Sequence, residues 1–349
     1  MLYRMATSVC CLFIIIILAL FTAPSVKAKS NGLAIFSKIK TALHDDSRWQ
    51  YLIVGIIFLF IIHFIYQSRS KKNAQDKTKG SIVMKTKEPI TIQNTVNRVT
   101  PGNGQHIGAR TEQQDAFGFS DIHDVAFIKQ FGVLAVLADG MGGLVGGREV
   151  SQLAVKNFID HYLHSPYITS IPEKLASSAE VANDAVLQFA RENALEGCVG
   201  TTLIASVVHN DELYWLSVGD SRIYLYQKDG MSQLSTDHIY AKELDEKAEK
   251  GLITLEEARN DPQRESLTSF LGQERIEEID ISLDPVPIHK EDKVLLCSDG
   301  LYGSVTSDDF LEICHMLPAQ EAAEKLIVLA LDKGKPNQDN ATIAILSLN

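Results

Sequence analysis

Apolar residues are distributed along this chain in two ways, and the change falls near position 68. Before it lie two long apolar runs; from about position 99 the runs are shorter and alternate with segments whose apolar positions recur every three or four residues. FGVLAVLA (131 to 138) is short and continuously apolar, which predicts a buried strand. REVSQLAVKNFIDHYL (148 to 163) and PEKLASSAEVANDAVLQFARENA (172 to 194) carry helical spacing, the second opening on proline. TTLIASVVH, ELYWLSV, RIYLYQ and MSQLS are strand-like and separated by the tight turns ND, GDS and KDG, so they predict an antiparallel meander. A helical insert is expected from Tyr240 to Leu271, then strands at 276 to 283 and 293 to 298, helices at 308 to 316 and 319 to 332, and a last strand ATIAILSL. Long helices in pairs around antiparallel strands give an α+β class. So much strand is more easily housed in two stacked sheets than in one, and the expected architecture is a four-layer α/β/β/α sandwich of two antiparallel sheets flanked by helices. No internal repeat interrupts this pattern.

The segment before position 99 reads differently. Residues 1–28 place Arg4 before an apolar stretch from Val9 to Phe21 and end in small residues at Val26 and Ala28, the pattern of a signal peptide or, uncleaved, of a first membrane helix. After a short non-cytoplasmic segment (29–48), residues 49–67 form a predicted transmembrane helix. From Trp49 to Tyr66 it spans roughly 27 Å at about 1.5 Å per residue, with Trp49, Tyr51 and Tyr66 where interfacial aromatics belong. His63 within it has no intramembrane partner in the sequence and reads as a tolerated polar residue. Arg69, Lys71, Lys72, Lys77 and Lys79 crowd the downstream flank, which outnumbers Lys38, Lys40 and Arg48 upstream; the positive-inside rule therefore puts everything after 67 in the cytoplasm. Residues 68–98 are polar, Lys-rich and aperiodic, a juxtamembrane linker, and 99–349 is the globular domain.

Charge and cysteine content narrow the function classes. A formal charge of −11 over 349 residues argues against a broad nucleic-acid surface, which needs clustered Lys and Arg, although a metal ion could still bring a phosphate-bearing substrate to an acidic site. Cys198, Cys297 and Cys314 are the cysteines outside the leader, an odd set without CxxC spacing, so neither a disulfide framework nor a thiolate zinc site is indicated. Cys297, inside VLLCS, reads as an inert core thiol.

The candidate chemistry is carboxylate chemistry. Asp115 in GARTEQQDAFG, Asp139 in VLADGMGG, Asp220 in SVGDSR, Asp299 in VLLCSDGLYG and Asp339 in NQDNATIAI all stand at element ends. A single Asp-Gly is ordinary turn chemistry. Several carboxylates on strand ends with no matching basic cluster would repel one another unless a cation sat between them, and hard oxygen donors select Mg²⁺ or Mn²⁺. Five glycines crowd residues 140 to 147; Gly140 lets a main-chain carbonyl approach a metal, and Gly142 and Gly143 let the chain turn away. A phosphate-binding P-loop is excluded because no Gly-Lys-Ser/Thr follows. Asp220 and Arg222 are read as pinning a strand turn, and His238 as capping the helix that follows it.

GARTEQQD, DGMGGLVGG, GTTLIASVV, VGDSRIYLY, LSTDH, LCSDGLYG and QDNATI, in that order, resemble the metal-dependent protein serine/threonine phosphatases of type 2C, over about Gly108 to Leu348. The insert KGLITLEEARNDPQRESLTSFLG is similar to a segment of bacterial members. The resemblance implies hydrolysis of phosphoserine and phosphothreonine on proteins by two Mn²⁺ or Mg²⁺ ions that share an activated water. In it Asp139 bridges both ions and Gly140 ligates one through its carbonyl. Asp115, Asp299 and Asp339 complete the shells, directly or through water, and Arg110 grips the substrate phosphate. It further implies phosphoprotein partners, an opposing serine/threonine protein kinase, and, with the predicted helices, a phosphatase domain on the cytoplasmic face of a bacterial inner membrane, without nucleic acid.

Some positions depart from the family pattern. Met141 stands where some relatives carry a histidine proposed to protonate the leaving group, and methionine cannot donate a proton. Gln113 replaces a common Asn, and GCVGTT replaces Gly-Met-Gly-Thr-Thr with no Asp close before it, which leaves a third metal site without its usual ligand; Glu196 is a poor substitute. Two other functions compete with the phosphatase: a non-catalytic phosphoprotein-binding or scaffold module on the same fold, and a two-metal phosphodiesterase.

Overall fold

A computed structural model describes residues 99–349 apart from 143–145, 166–167 and 169. The expected leader, the span at 49–67, the linker and Gly143 lie outside the described residues. Among the described residues no helix is long and apolar enough to cross a membrane.

Among the described residues twelve strands form two antiparallel sheets. The first sheet has the order β1 (Val99–His106), β12 (Ala341–Leu348), β11 (Lys293–Cys297), β7 (Arg222–Gln227), β8 (Gly230–Gln233). The second runs β10 (Val286–Pro287), β6 (Glu212–Val218), β5 (Leu203–His209), β3 (Val133–Met141), β2 (Asp115–Phe119), with β4 (Gly200–Thr201) on β3 and β9 (Asp280–Ile281) on β6.

Alternation along the strands explains why they read as continuous apolar runs: both faces are covered. On β3, Leu134, Val136 and Ala138 pack towards helices, while Val133, Ala135 and Leu137 pack into the space between the sheets. On β12, Ile343 and Ile345 face helices and Ala344 and Leu346 face the other sheet. The helix layer over the second sheet is α2 (Gly147–His164) and α3 (Ile171–Glu192), with Val150, Ala154, Phe158 and Tyr162 of α2 wholly buried at helical spacing. Over the first sheet lie α7 (Ser307–Met316) and α8 (Ala319–Asp332). Three cores separated by two sheets are the four-layer α+β sandwich read from the pattern.

Local chemistry sets the helix ends. Ser170 accepts from the Glu173 N–H at the start of α3, and Thr306 with Asp309 forms a reciprocal capping box on α7. Lys174 is fully buried, and its Nζ donates to the carbonyls of Tyr162 (2.8 Å) and Ser165 (2.9 Å), so it closes the end of α2.

Several expectations are corrected. Phe131 closes a short helix, α1 (Val125–Phe131), capped by Asp124, so β3 starts two residues later and runs on to Met141; Asp139 therefore lies within the strand. The insert is helical only in α4 (Ala241–Glu249) and α5 (Leu255–Asn260), because Asp261-Pro262 stops the second helix. The strand expected at 276 to 283 shrinks to β9. Asp299 opens a single helical turn, α6 (Asp299–Tyr302). β1 and β2 were not anticipated. VTPGNGQH has poor strand propensity, yet all eight residues pair with β12, whose register decides the matter, and an edge strand tolerates its proline.

Candidate active site at the shared end of the sheets

In antiparallel sheets the end of one strand and the start of the next share an edge, and this gathers the acidic positions. Asp115 opens β2, Asp139 lies two residues from the end of β3, Asp220 follows β6, Asp299 follows β11 and Asp339 precedes β12. The β2–β3 register sets Asp115 directly across from Asp139. Asp139, Asp220, Asp299 and Asp339, from both sheets, line one cavity of about 590 Å³. Arg110 is the single cation among the described residues that line it. Asp115 is not on the cavity wall; it is 4% exposed, and its Oδ2 accepts from Ser298 Oγ (2.8 Å) and Thr342 Oγ1 (2.6 Å) of the other sheet's strand ends.

The motifs around these carboxylates act as their supports. Asp139 is held through its backbone: its N–H donates to Thr202 Oγ1 (3.0 Å), and its carbonyl accepts from the Thr202 N–H (2.9 Å) and Thr201 Oγ1 (2.8 Å). A Cβ on Gly140 would stand 2.6 Å from the Gln114 carbonyl oxygen and would collide with that of Gly147, so the bare backbone expected here accommodates two other chain segments. Asn340, 4% exposed, staples the loop before β2: its Oδ1 accepts from the Gln114 N–H (2.7 Å), and its Nδ2 donates to the carbonyls of Ile107 (2.8 Å) and Glu112 (3.1 Å). That loop carries Arg110, half-exposed at the cavity, where its guanidinium is ion-paired with Asp339.

Crowding and burial make these carboxyls hard to ionise. Asp139 is pushed well above the usual range, by burial first and then by Asp115, Asp299, Asp220 and Asp339. Asp220 rises to about 7 through burial and then Asp299. Asp115 rises to about 6, because burial outweighs the opposing hydrogen bonds from Thr342 and Ser298. Asp299 is raised by burial and then by Asp339. Asp115 Oδ1 and Asp299 Oδ1 are buried without a hydrogen-bond donor, a costly state for a carboxylate oxygen. Buried carboxyl oxygens without donors, one on and one just behind a cavity lined by no histidine among the described residues, fit a hard divalent cation. Among the described residues no three His, Cys, Asp or Glu side chains form a closed metal-holding group; the carboxylates face a shared space without meeting at one point.

Three sequence assignments change. Asp220 does not merely pin a turn, because it lines the cavity with the other carboxylates; its strand-end setting was the signal that could have placed it there. Arg222 is structural, but its partner is Asp237 (Nη2 to Oδ2 2.7 Å), and its guanidinium lies 3.8 Å over the Tyr302 ring. His238 caps no helix: its Nδ1 accepts from the Gly219 N–H (3.1 Å), whereas Tyr240 is the N-cap of α4. Glu196, the weak candidate for a third metal site, is exposed and faces Arg191 at 3.6 Å. Sequence reasoning also missed one wall, made by Glu265, Ser266, Leu267 and Phe270 of the insert against 197–200. The bridge between Leu271 and Thr201, with Phe270 lying over Gly200, and the bridge between Leu267 and Ile239 bring it there.

Residues 104–333 match the family model described as protein phosphatase 2C. The chain belongs to the protein phosphatase 2C family. As a phosphatase of that family it is an enzyme, a protein serine/threonine phosphatase. The matched segment stops short of Asp339, whose place beside the other carboxylates is a matter of geometry. The phosphatase is 34% identical over 221 residues to the serine/threonine phosphatase stp of Listeria innocua, covering 62% of this chain and 84% of that protein. It is similar to the crystal structure of the Mycobacterium tuberculosis serine/threonine phosphatase PstP/Ppp, with a TM-score of 0.59 and 30% identity over 72% of this chain and 99% of that one. A structure of the PstP catalytic domain in complex with two manganese ions matches with a TM-score of 0.56 and 27% identity, over 72% of this chain and 98% of that one.

Proposed function

We propose that the cavity hydrolyses phosphoserine and phosphothreonine monoesters on proteins with two Mn²⁺ or Mg²⁺ ions held by Asp115, Asp139, the Gly140 carbonyl, Asp299 and Asp339. The observation that carries this reading is the convergence of carboxylates from both sheets on one open cavity, with two buried oxygens lacking donors. When bound there, a divalent pair supplies a water acidified towards neutrality and positive charge against the phosphoryl dianion. Asp139 stands across from Asp115 in the β2–β3 register and lines the cavity with Asp220, Asp299 and Asp339, which suits it to bridging. Asp115, set back from the cavity, suits a role through water. Arg110 exchanges its pairing with Asp339 for the phosphate oxygens, to which a guanidinium offers two parallel donors. Met141 lines the cavity without an ionisable group and supplies no proton to the leaving alkoxide. The manganese pair in the PstP catalytic domain supports the cation assignment.

The same reading places the enzyme at the bacterial inner membrane through one or two helices before residue 68, with its phosphatase unit in the cytoplasm opposing a serine/threonine kinase. The basic flank after 67 supports that orientation. The deciding experiment measures phosphate release from a phosphothreonine peptide. Release is expected with Mn²⁺ or Mg²⁺, absent in excess chelator and lost in Asp139→Asn; turnover that persists in chelator refutes the mechanism.

A further inference from the structure

Carboxylates that repel one another separate unless the fold tethers them, so the tethers are part of the site. For Asp115 the tethers are Ser298 and Thr342. Asp139 and Asp220 come from different strand ends, and a single side chain spans them. We propose that Thr202 is a positioning residue for the phosphatase reaction, locking Asp139 and the turn 219–221 that carries Asp220 into one body; this rests on the reading of the cavity as a cation site.

Thr202 is 1% exposed and uses every part of its side chain. Its Oγ1 accepts from the Asp139 N–H at 3.0 Å and lies 2.8 Å from Ser221 Oγ, itself 1% exposed. Its methyl group fills the place a side chain at Gly219 would need: a Cβ there would stand 2.7 Å from Thr202 Cγ2, and Gly219 has φ +102°. From the other side His238 grips Gly219, accepting from its N–H at Nδ1 (3.1 Å) and donating its own N–H to the Gly219 carbonyl (3.0 Å). The turn bearing Asp220 is thus clamped between Thr202 and His238, while Thr202 holds Asp139 through its hydroxyl and its own N–H. Hydroxyl and methyl have separate tasks: valine keeps the volume and leaves the Asp139 N–H without its acceptor, whereas serine keeps the acceptor.

The test uses the full chain in detergent micelles, with Thr202→Val, Thr202→Ser and Ser221→Ala beside the wild type. Mn²⁺ binding is read from the free-ion electron paramagnetic resonance signal, the fold from melting in chelator, and kcat and KM from a phosphothreonine peptide. Thr202→Val is expected to weaken Mn²⁺ binding roughly 10- to 100-fold, as loss of a ligand's support does. It should lower kcat while KM for the peptide changes by less than about threefold, since no substrate contact is lost. Thr202→Ser should restore metal binding to near wild type. Should Thr202→Val not fold, Ser221→Ala decides, with Mn²⁺ binding expected to weaken several-fold. Wild-type Mn²⁺ affinity in folded Thr202→Val or in Ser221→Ala overturns the proposal, as does Thr202→Ser binding as weakly as Thr202→Val. A wild-type chain that binds no Mn²⁺ and turns over without it overturns the proposed function itself, a result distinguishable from unchanged variants.

Discussion

Replacing Asp115 with asparagine should make the metal-free enzyme less sensitive to rising pH, while impairing its response to metal. A carboxyl moved from 3.8 to about 6 costs on the order of 3 kcal/mol to ionise within the fold. Because the folded value is the higher one, this stability is present below about pH 3.8 and is lost as pH rises through about 6. Between pH 4.5 and 7.5 the loss is about 2 kcal/mol by the same linkage. At a urea slope of about 2–3 kcal/mol per molar, the midpoint difference between wild type and Asp115→Asn should shift by roughly 0.7–1 M in the variant's favour over that interval. Any fixed cost of altering the hydrogen bonds with Ser298 and Thr342 is the same at both pH values and cancels. The assay is urea unfolding of the compact unit Thr91–Asn349 in chelator, at the two pH values, followed by far-UV circular dichroism. A difference that does not change with pH would falsify the claim that burial opposes this charge. Saturating Mn²⁺ should then raise the wild-type midpoint more than the variant's.

Further expectations concern the supports and the substrate side. Arg110→Ala should lower kcat/KM for a phosphothreonine peptide by roughly 10- to 100-fold, chiefly through KM, since a charged hydrogen bond contributes about 1.5–3 kcal/mol; unchanged kinetics would remove Arg110 from phosphate recognition. Asn340→Ala, which removes the side-chain partner of three backbone groups in the Arg110 loop, should cost about 1–3 kcal/mol on urea unfolding and raise KM as well. Phe158→Ala, in the fully buried face of α2, should cost about 3–5 kcal/mol while leaving Mn²⁺ affinity unaltered in the folded protein. In the unit Thr91–Asn349, a thiol reagent should label Cys198 in the native state and reach Cys297 and Cys314 only on unfolding, because both are buried and burial raises both thiols.

The site is distributed over widely separated segments, and its rigidity comes from neutral groups. Hydroxyls of Thr201, Thr202, Ser298 and Thr342 and the amide of Asn340 hold the acidic strand ends in place. Neutral supports suit such a centre. A lysine or arginine in their place would cancel the charge that a divalent cation has to meet.

The order of hydrophobic and polar positions determined most of the elements by itself, because strand and helix periods are local properties. Strands covered on both faces, helices amphipathic over several turns and a sandwich of four layers could all be read from spacing. The acidic motifs were equally visible, since an aspartate that closes or opens an apolar run leaves a signature in a few adjacent letters. Tertiary pairing decided what no local window contains. β1 is a strand because β12 accepts its whole length, and Asp115 confronts Asp139 because of the β2–β3 register. Asp220 joins the cavity because β6 ends on the same edge as β3, and the insert contributes a wall because Leu271 pairs with Thr201. Those facts depend on hydrogen bonds and charges brought together across more than two hundred residues. Their free energies exist only once the sheets have stacked.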